Sequence, residues 1–116
     1  CGPEQNEISK NIIDKIKKKN CMDLSKMNIS EIIPILYLCD LYVGNDSFSH
    51  HITSQCNKPS IVLLLNSPKA YSDYSKNHHR IIPENAKLEE LDHSSNYKAN
   101  SISIEKVYNK IIELKN

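Results

Sequence analysis

The stretch SIVLLL at residues 60–65 is the most apolar run in the chain. Five consecutive apolar residues follow Ser60, and a run without polar alternation is typical of a strand that is covered on both faces, as in a parallel sheet. Asn57, Lys58 and Pro59 come directly before it and end the helical pattern of residues 47–56. We therefore predict a buried parallel strand at residues 60–65.

Helices and short strands alternate on either side of this strand. Ser30 and Ser103 are the expected N-caps of two of the helices, because a serine hydroxyl accepts a hydrogen bond from a first-turn N–H. Short connections between alternating elements predict an α/β fold with a Rossmann-like parallel sheet flanked by helices. The other predicted strands are residues 21–24, 41–43 and 80–83, and the predicted helices are residues 3–19, 31–37, 47–56 and 104–114.

Length and charge restrict the classes of function. The 116 residues predict one domain. Fifteen basic and fourteen acidic side chains give a net charge of +1, which argues against nucleic-acid binding and against more than peripheral contact with a membrane. Four cysteines occur without a Cys-x-x-Cys pair, so we expect reduced thiols in the cytoplasm, with disulfides or metal binding as the open alternatives.

The first residues suggest that the chain is a piece of a longer protein. It begins Cys1-Gly2-Pro3 without a methionine. Pro3 and Glu4 are typical of a first helical turn, and in an alternating fold a strand precedes such a helix. We therefore expect a C-terminal fragment whose preceding strand is absent from the sequence. Gly2 and Glu4 would then stand at a strand end, where Glu4 could bind a ribose diol, although an ordinary acidic first turn is the better explanation of these residues taken alone.

The loop at residues 44–51, GNDSFSHH, is the strongest candidate for a binding site. Ligands of open parallel sheets bind beyond the carboxyl ends of the strands, and a helix that begins there presents free N–H groups to an anion. Asp46, Ser47 and His51 would add side-chain contacts. In the alternative interpretation, Asp46 or Ser47 only caps the helix and His50 and His51 are structural. A small basic cluster, His78-His79-Arg80, could contact phosphate or a partner.

Several motifs together resemble one enzyme family. They are CGPE at residues 1–4, CDLYVGNDS at residues 39–47, His51-Ile52, KPSIVLL at residues 58–64 and ISIEKV at residues 102–107. This set resembles the C-terminal, donor-binding half of family 9 glycosyltransferases, the heptosyltransferases of lipopolysaccharide core assembly. The resemblance covers most of residues 1–83 and 101–115. It implies one half of a GT-B glycosyltransferase.

The resemblance also implies a chemistry. Transfer from a nucleotide-diphosphate sugar such as ADP-heptose would invert the anomeric centre without a metal or other cofactor, in the cytoplasm at the inner face of the inner membrane. The catalytic base would come from the missing N-terminal acceptor domain, so this chain alone should be inactive. Phe48 replaces a family glycine that lets the backbone approach the diphosphate. The substrate-binding residues implied are Gly2, Glu4, Gly44, Asn45, Asp46, Ser47, Phe48 and His51.

Two other interpretations remain open. The chain could be a non-catalytic nucleotide- or sugar-binding domain, or a scaffold, on the same fold. A flavodoxin-like or receiver-type regulatory domain shares the alternating pattern, but it would require an acidic cluster after the first strand and a lysine after the last, and the sequence has neither.

Overall fold

The computed structural model describes residues 6–16 and 20–116, the side chain of Asn6 excepted. Cys1, Gly2, Glu4 and the lysines at 17–19 lie outside the described residues. The chain consists of two compact units, Cys1–Ile35 and Leu36–Asn116. The helices and strands are α1 (Asn6–Ile16), α2 (Ile29–Leu38), β1 (Tyr42–Asn45), α3 (Phe48–Gln55), β2 (Ser60–Leu63), β3 (His78–Ile81) and α4 (Ile104–Lys115). Single 3-10 turns cover Lys69–Ser72, Leu88–Glu90 and Ala99–Ser101.

Residues 21–24 do not form the predicted strand. The Asp23 carboxylate accepts hydrogen bonds from the Ser25 backbone N–H at 2.9 Å and from the Ser9 hydroxyl at 2.8 Å. An aspartate that binds the backbone two residues further on favours a turn over an extended strand. The strand prediction at this position is therefore wrong.

Helix α2 begins two residues earlier than predicted, and its cap is Asn28 rather than Ser30. The Asn28 side-chain oxygen accepts the Glu31 N–H at 3.1 Å, while the Glu31 carboxylate accepts the Asn28 N–H at 2.8 Å. This reciprocal pair is a capping box. Ser30 instead donates its hydroxyl to the Asn28 side chain at 2.6 Å. The earlier start places Pro34 in the second helical turn, where it leaves the Ser30 carbonyl without its usual N–H partner.

The three strands form a parallel sheet in the order β1-β2-β3. Gly44 lies beside Val62, which lies beside Arg80, and the carboxyl ends of the strands are therefore at one edge. This confirms the predicted parallel α/β fold. The third strand begins at His78, two residues before the predicted start.

Helices cover the two faces of the sheet. Ile61 and Ile81 pack with Ile102 and with apolar residues of α4 on one face. His78 and Arg80 point to the opposite face, since side chains alternate along a strand, and α3 contacts this face through His50. Val62 and Leu64 lie on that side and pack against Leu91. Covering on both faces explains why the SIVLLL stretch has no polar alternation.

Helix α3 lies within the predicted residues 47–56, one residue shorter at each end, and α4 begins at the predicted position. Helix α3 ends at Gln55 with Cys56 as its C-cap, and Asn57 follows with a left-handed backbone and φ of 58°. The Lys58 N–H closes the helix end on the Thr53 carbonyl at 3.1 Å, and Pro59 then leads into β2. The Ser103 hydroxyl caps α4 by accepting the Lys106 N–H at 3.4 Å.

The described cysteines Cys21, Cys39 and Cys56 have free thiols and are partly buried. In the described part of the chain, no helix has both the length and the apolar character that crossing a bilayer requires.

Candidate functional site

The candidate site lies where β1 ends and α3 begins. Asn45 is the last residue of β1, and Asp46 and Ser47 connect it to Phe48, the first residue of α3. Ser47 has an extended backbone and is the N-cap residue, but its side chain makes no capping hydrogen bond. Its hydroxyl lies 3.0 Å from the Tyr42 hydroxyl instead. Ser47 therefore leaves the first-turn N–H groups of α3 available to an anion.

Gly44 is required by the side chain of Tyr42. A Cβ atom on Gly44 would lie 2.5 Å from the Tyr42 hydroxyl oxygen and 2.8 Å from the adjacent ring carbon. The ring crosses over Gly44 so that its hydroxyl can donate to the Asn45 carbonyl at 3.2 Å and meet the Ser47 hydroxyl. Gly44 thus shapes the loop by leaving room for the Tyr42 ring.

Replacing Gly44 by alanine should displace the Tyr42 ring and break its contact with Ser47. We expect Gly44→Ala to lower the free energy of unfolding by about 1–3 kcal/mol, the usual cost of forcing extra volume into a packed position. In a Tyr42→Ala background the same change should cost less than about 0.5 kcal/mol. Urea unfolding monitored by circular dichroism measures both values. Equal costs in the two backgrounds would contradict this explanation.

Asp46 is held by two histidines. Its Oδ1 atom lies 3.2 Å from His50 Nδ1 and 3.1 Å from His51 Nε2, and its side chain is only 9% exposed. No described residue hydrogen-bonds to Oδ2. One carboxylate oxygen is therefore fixed by the protein, and the other can accept a hydrogen bond from a ligand.

His51 is held on its other side by Tyr74. The Tyr74 hydroxyl is hydrogen-bonded to His51 Nδ1, and the two rings are stacked with their centroids 5.9 Å apart. Because His51 Nε2 faces the Asp46 carboxylate, Nε2 carries the proton and Nδ1 accepts from Tyr74. His51 thus braces Asp46 in the loop.

His50 connects the loop to the third strand. It is fully buried, and its Nε2 atom lies 3.1 Å from Nε2 of His78 on β3. His78 Nδ1 in turn donates to the Ser72 carbonyl at 2.9 Å. Arg80 donates to the Ser72 hydroxyl at 2.8 Å and to the Asp73 carboxylate at 2.7 Å, which fixes the turn that carries Ser72.

The sequence was compared with known protein families and with curated proteins. The model of glycosyltransferase family 9 (heptosyltransferase) matches residues 1–100. The chain belongs to glycosyltransferase family 9. It is 28% identical over 89 residues to lipopolysaccharide heptosyltransferase 1 of Campylobacter coli, a match that covers 75% of this chain and 26% of that protein. No solved structure matches the chain at a significant level.

Two predicted residues of the family 9 chain lie at the rim of the loop. Phe48 is the first residue of α3, and its side chain is 44% exposed and is not part of the core. Asn45 is exposed, and its carbonyl is used by Tyr42. The structure therefore places the six described predicted residues at one junction, with Gly44 and Asn45 at the end of β1, Asp46 and Ser47 in the connection, and Phe48 and His51 in α3.

Four residues that contact the candidate site, or that extend its network of polar contacts, were not among the predicted binding residues. His50 and Tyr74 contact Asp46 or His51 directly, and His78 and Ser72 extend the network. The sequence predicts that the His78-His79-Arg80 cluster could contact phosphate or a partner, and strand alternation places His78 and Arg80 on one face of the sheet. Tyr74 and Ser72 lie in a polar segment without a periodic signal.

Asp46, His50 and His51 also offer three atoms of the kind that bind metals, all within 4.8 Å of one another. The same atoms pair as hydrogen-bond donors and acceptor, with two ring N–H groups directed at Oδ1. We assign the cluster in this family 9 chain to hydrogen bonding. The expectation of a reaction without a metal stays a prediction.

Burial controls the titration of the histidines. Desolvation, followed by the nearby His78 and His51 rings, lowers the pKa of His50 to about 4, and Asp46 opposes this shift. Burial also lowers the pKa of His78 and of His79. Without a ligand, the simultaneous protonation of His50 and His78 is therefore unfavourable.

The lowered pKa of His50 predicts acid sensitivity. The unfolded chain, with a histidine pKa near 6.5, binds the proton more readily than the folded chain does. Stability should therefore be fully present above about pH 6.5 and should be lost as the pH falls towards about 4. The chain has no tryptophan, so urea unfolding is best followed by circular dichroism. His50→Gln should flatten the decline between about pH 6.5 and 5, where carboxylates contribute little; an unchanged slope would contradict the assignment.

Proposed function

We propose that this family 9 chain is the donor-binding half of an inverting, metal-independent glycosyltransferase that uses a nucleotide-diphosphate sugar such as ADP-heptose. The product would be a lipopolysaccharide or another surface glycan, made at the cytoplasmic side of the membrane. The family match and the name of the Campylobacter relative support this class of reaction. The observation that carries the donor site is the Asp46 carboxylate, which is fixed through one oxygen beside the open N-terminus of α3.

Asp46 is suited to a sugar or ribose hydroxyl. Carboxylates accept strong hydrogen bonds, and Oδ2 has no hydrogen-bond donor among the described residues. Because the two histidines fix Oδ1, the orientation of Oδ2 is set before a ligand arrives. Such preorganisation lowers the entropic cost of binding.

The N-terminus of α3 is suited to the diphosphate. Its free backbone N–H groups and the positive end of the helix dipole favour an anion. The Ser47 hydroxyl donates to Tyr42, whose own proton goes to the Asn45 carbonyl, and it would turn from Tyr42 to a bound phosphate. In the transfer step the leaving nucleoside diphosphate gains negative charge, so fixed donors here would stabilise the transition state more than the ground state.

The rest of the catalytic machinery would come from outside residues 1–116. In this proposal an N-terminal acceptor domain binds the acceptor substrate and supplies the catalytic base. The chain by itself would then bind the donor without transferring the sugar.

Isothermal titration calorimetry with ADP, UDP and GDP sugars tests the proposal. We expect one of these donors to bind to the complete polypeptide that carries residues 1–116, and the same nucleoside diphosphate to compete with it. The absence of binding to all three, in a sample shown to be folded by circular dichroism, would refute the proposal.

Phe48 supports a second candidate, a non-catalytic domain on the same fold. Phe48 stands at the glycine position of the family pattern, and its side chain is 44% exposed. If this ring excludes the diphosphate, the native chain would not bind a donor, whereas Phe48→Gly would. A gain of binding in Phe48→Gly would favour the non-catalytic candidate, and equal binding by both proteins would favour the donor-binding enzyme half.

A further inference from the structure

A continuous series of polar contacts runs behind residues 44–51, the proposed donor loop. It begins at Asp46 Oδ1, passes through His50 Nδ1 at 3.2 Å and continues from His50 Nε2 to His78 Nε2 at 3.1 Å. It ends at the Ser72 carbonyl, 2.9 Å from His78 Nδ1. His50, His78 and Ser72 are all buried, so water does not replace these contacts.

The two ends of the series determine where the protons lie. The Ser72 carbonyl can only accept a hydrogen bond, so His78 Nδ1 must carry a proton. The Asp46 carboxylate also only accepts, so His50 Nδ1 must carry a proton as well. A neutral imidazole carries one proton, which leaves both Nε2 atoms as acceptors that face each other at 3.1 Å. One additional proton converts this contact into an N–H···N hydrogen bond.

The additional proton also changes the charge behind the loop. Without it, Asp46, His50 and His78 together carry one negative charge, next to the helix end that would bind a diphosphate. With it, the three groups are neutral. An anion at the α3 N-terminus would therefore favour the protonated form, and by reciprocity the protonated form would favour the anion.

We propose that His78 is a positioning residue of the donor site and that the His50–His78 pair takes up one proton when a nucleoside diphosphate binds beside Asp46. This inference rests on the proposed function. The proton comes from the solvent and forms an N–H bond at one Nε2 atom, with the other Nε2 atom as its acceptor. His78 acts through His50, which holds Asp46, and does not itself touch the donor.

Other charged and titratable groups surround the pair. Asp46 and His51 face it from the loop and α3, Tyr74 packs edge-on against the His78 ring, and Arg80 lies on the same face of β3 with its charge partly matched by Asp73. Arg80 and His51 disfavour a positive charge on His78, while Asp46 favours it. A bound diphosphate would add a second favourable charge.

Nitrogen-15 NMR of the histidine rings tests this series of polar contacts without any donor. As the pH is lowered, we expect one proton to enter the pair and to give a strongly downfield signal coupled to Nε2 of His50 and His78. Both Nδ1 atoms should remain protonated throughout. The proposal is overturned if the rings titrate independently, or if either Nδ1 lacks its proton.

Calorimetry with ADP as the probe tests the coupling. Titrations at about pH 5, between the lowered pKa of His50 and the ordinary histidine pKa, are made with EDTA present in two buffers of different ionisation enthalpy, because the difference in heat counts the protons taken up. We expect a net uptake of a fraction of one proton, larger than in His78→Gln, and an affinity that falls as the pH rises. Binding of ADP without proton uptake would overturn the proposal, and binding of no nucleotide at all would refute the proposed function and leave the series of polar contacts to the NMR result.

His78→Gln and His79→Gln form a matched pair of variants. A glutamine at position 78 can donate a permanent N–H to His50 Nε2, so the additional proton is no longer needed. We expect His78→Gln to bind ADP about 5- to 10-fold more weakly, without proton uptake and with little pH dependence. His79, on the opposite face of β3, should tolerate the change. Unaltered proton uptake in a folded His78→Gln would overturn the proposal; if that variant unfolds, the wild-type measurements decide.

Discussion

Replacing Asp46 by asparagine should weaken donor binding by about 10- to 150-fold, equivalent to about 1.5–3 kcal/mol for a hydrogen bond to a charged group. The asparagine carbonyl oxygen would remain directed at His50 and His51, which both donate to this position. Its NH₂ group would then take the place of Oδ2 and present a donor where the ligand hydroxyl needs an acceptor. Calorimetry with the donor that binds the wild-type chain measures the effect.

Asp40→Asn is the matched control for this experiment. Asp40 is exposed and precedes β1, so it stands at the opposite end of the strand from the donor loop. Its replacement should leave the affinity unchanged. Equal affinities in Asp46→Asn and wild type would show that the carboxylate does not contact the donor, and an equal loss in both variants would indicate a general charge effect.

Truncating Ile61 to alanine should lower the free energy of unfolding by about 2–5 kcal/mol, because the change removes a buried side chain and leaves a cavity. Ile61 is fully buried in the central strand, where it packs with Ile81 and Ile102. Against a typical stability of about 5–15 kcal/mol, this loss is a large fraction. Urea denaturation followed by circular dichroism gives the value.

Ile104→Ala makes the same chemical change at a surface position. Ile104 is 87% exposed at the start of α4, and its truncation should alter stability by no more than about 0.5 kcal/mol. Similar costs at the two positions would mean that residues 60–65 are not the central strand of the core.

The fold was predictable where the sequence pattern follows directly from burial. The SIVLLL stretch has no polar alternation because Ile61 packs against α4 on one face, while Val62 and Leu64 pack against Leu91 on the other. The end of α3 was predictable because Asn57 tolerates the left-handed backbone and Pro59 cannot continue a helix. The errors at residues 21–24 and at Ser30 both arose from side-chain-to-backbone hydrogen bonds, in which Asp23 and Asn28 compete with regular structure.

The site was predictable only where its residues are contiguous. Residues 44–51 form one contiguous stretch and were predicted together, and Asp46 and His51 of this stretch are in contact. Tyr74 and His78 lie 23 and 28 residues from their partners His51 and His50, and no local pattern connects such positions. Only the strand register, with Ser60 beside His78, brings β3 to α3.

The pairing of β2 with β3 also determines when the site can form during folding. Residues 44–51 contain the side chains proposed to bind the donor. However, Asp46 is oriented by His50, and His50 is held by His78 of β3. Parallel pairing requires a long connection to close first, which makes it a slow step. A polypeptide that ends before residue 78 would therefore carry the complete motif and lack an ordered site, and amide hydrogen exchange in β3 would report the integrity of the donor loop.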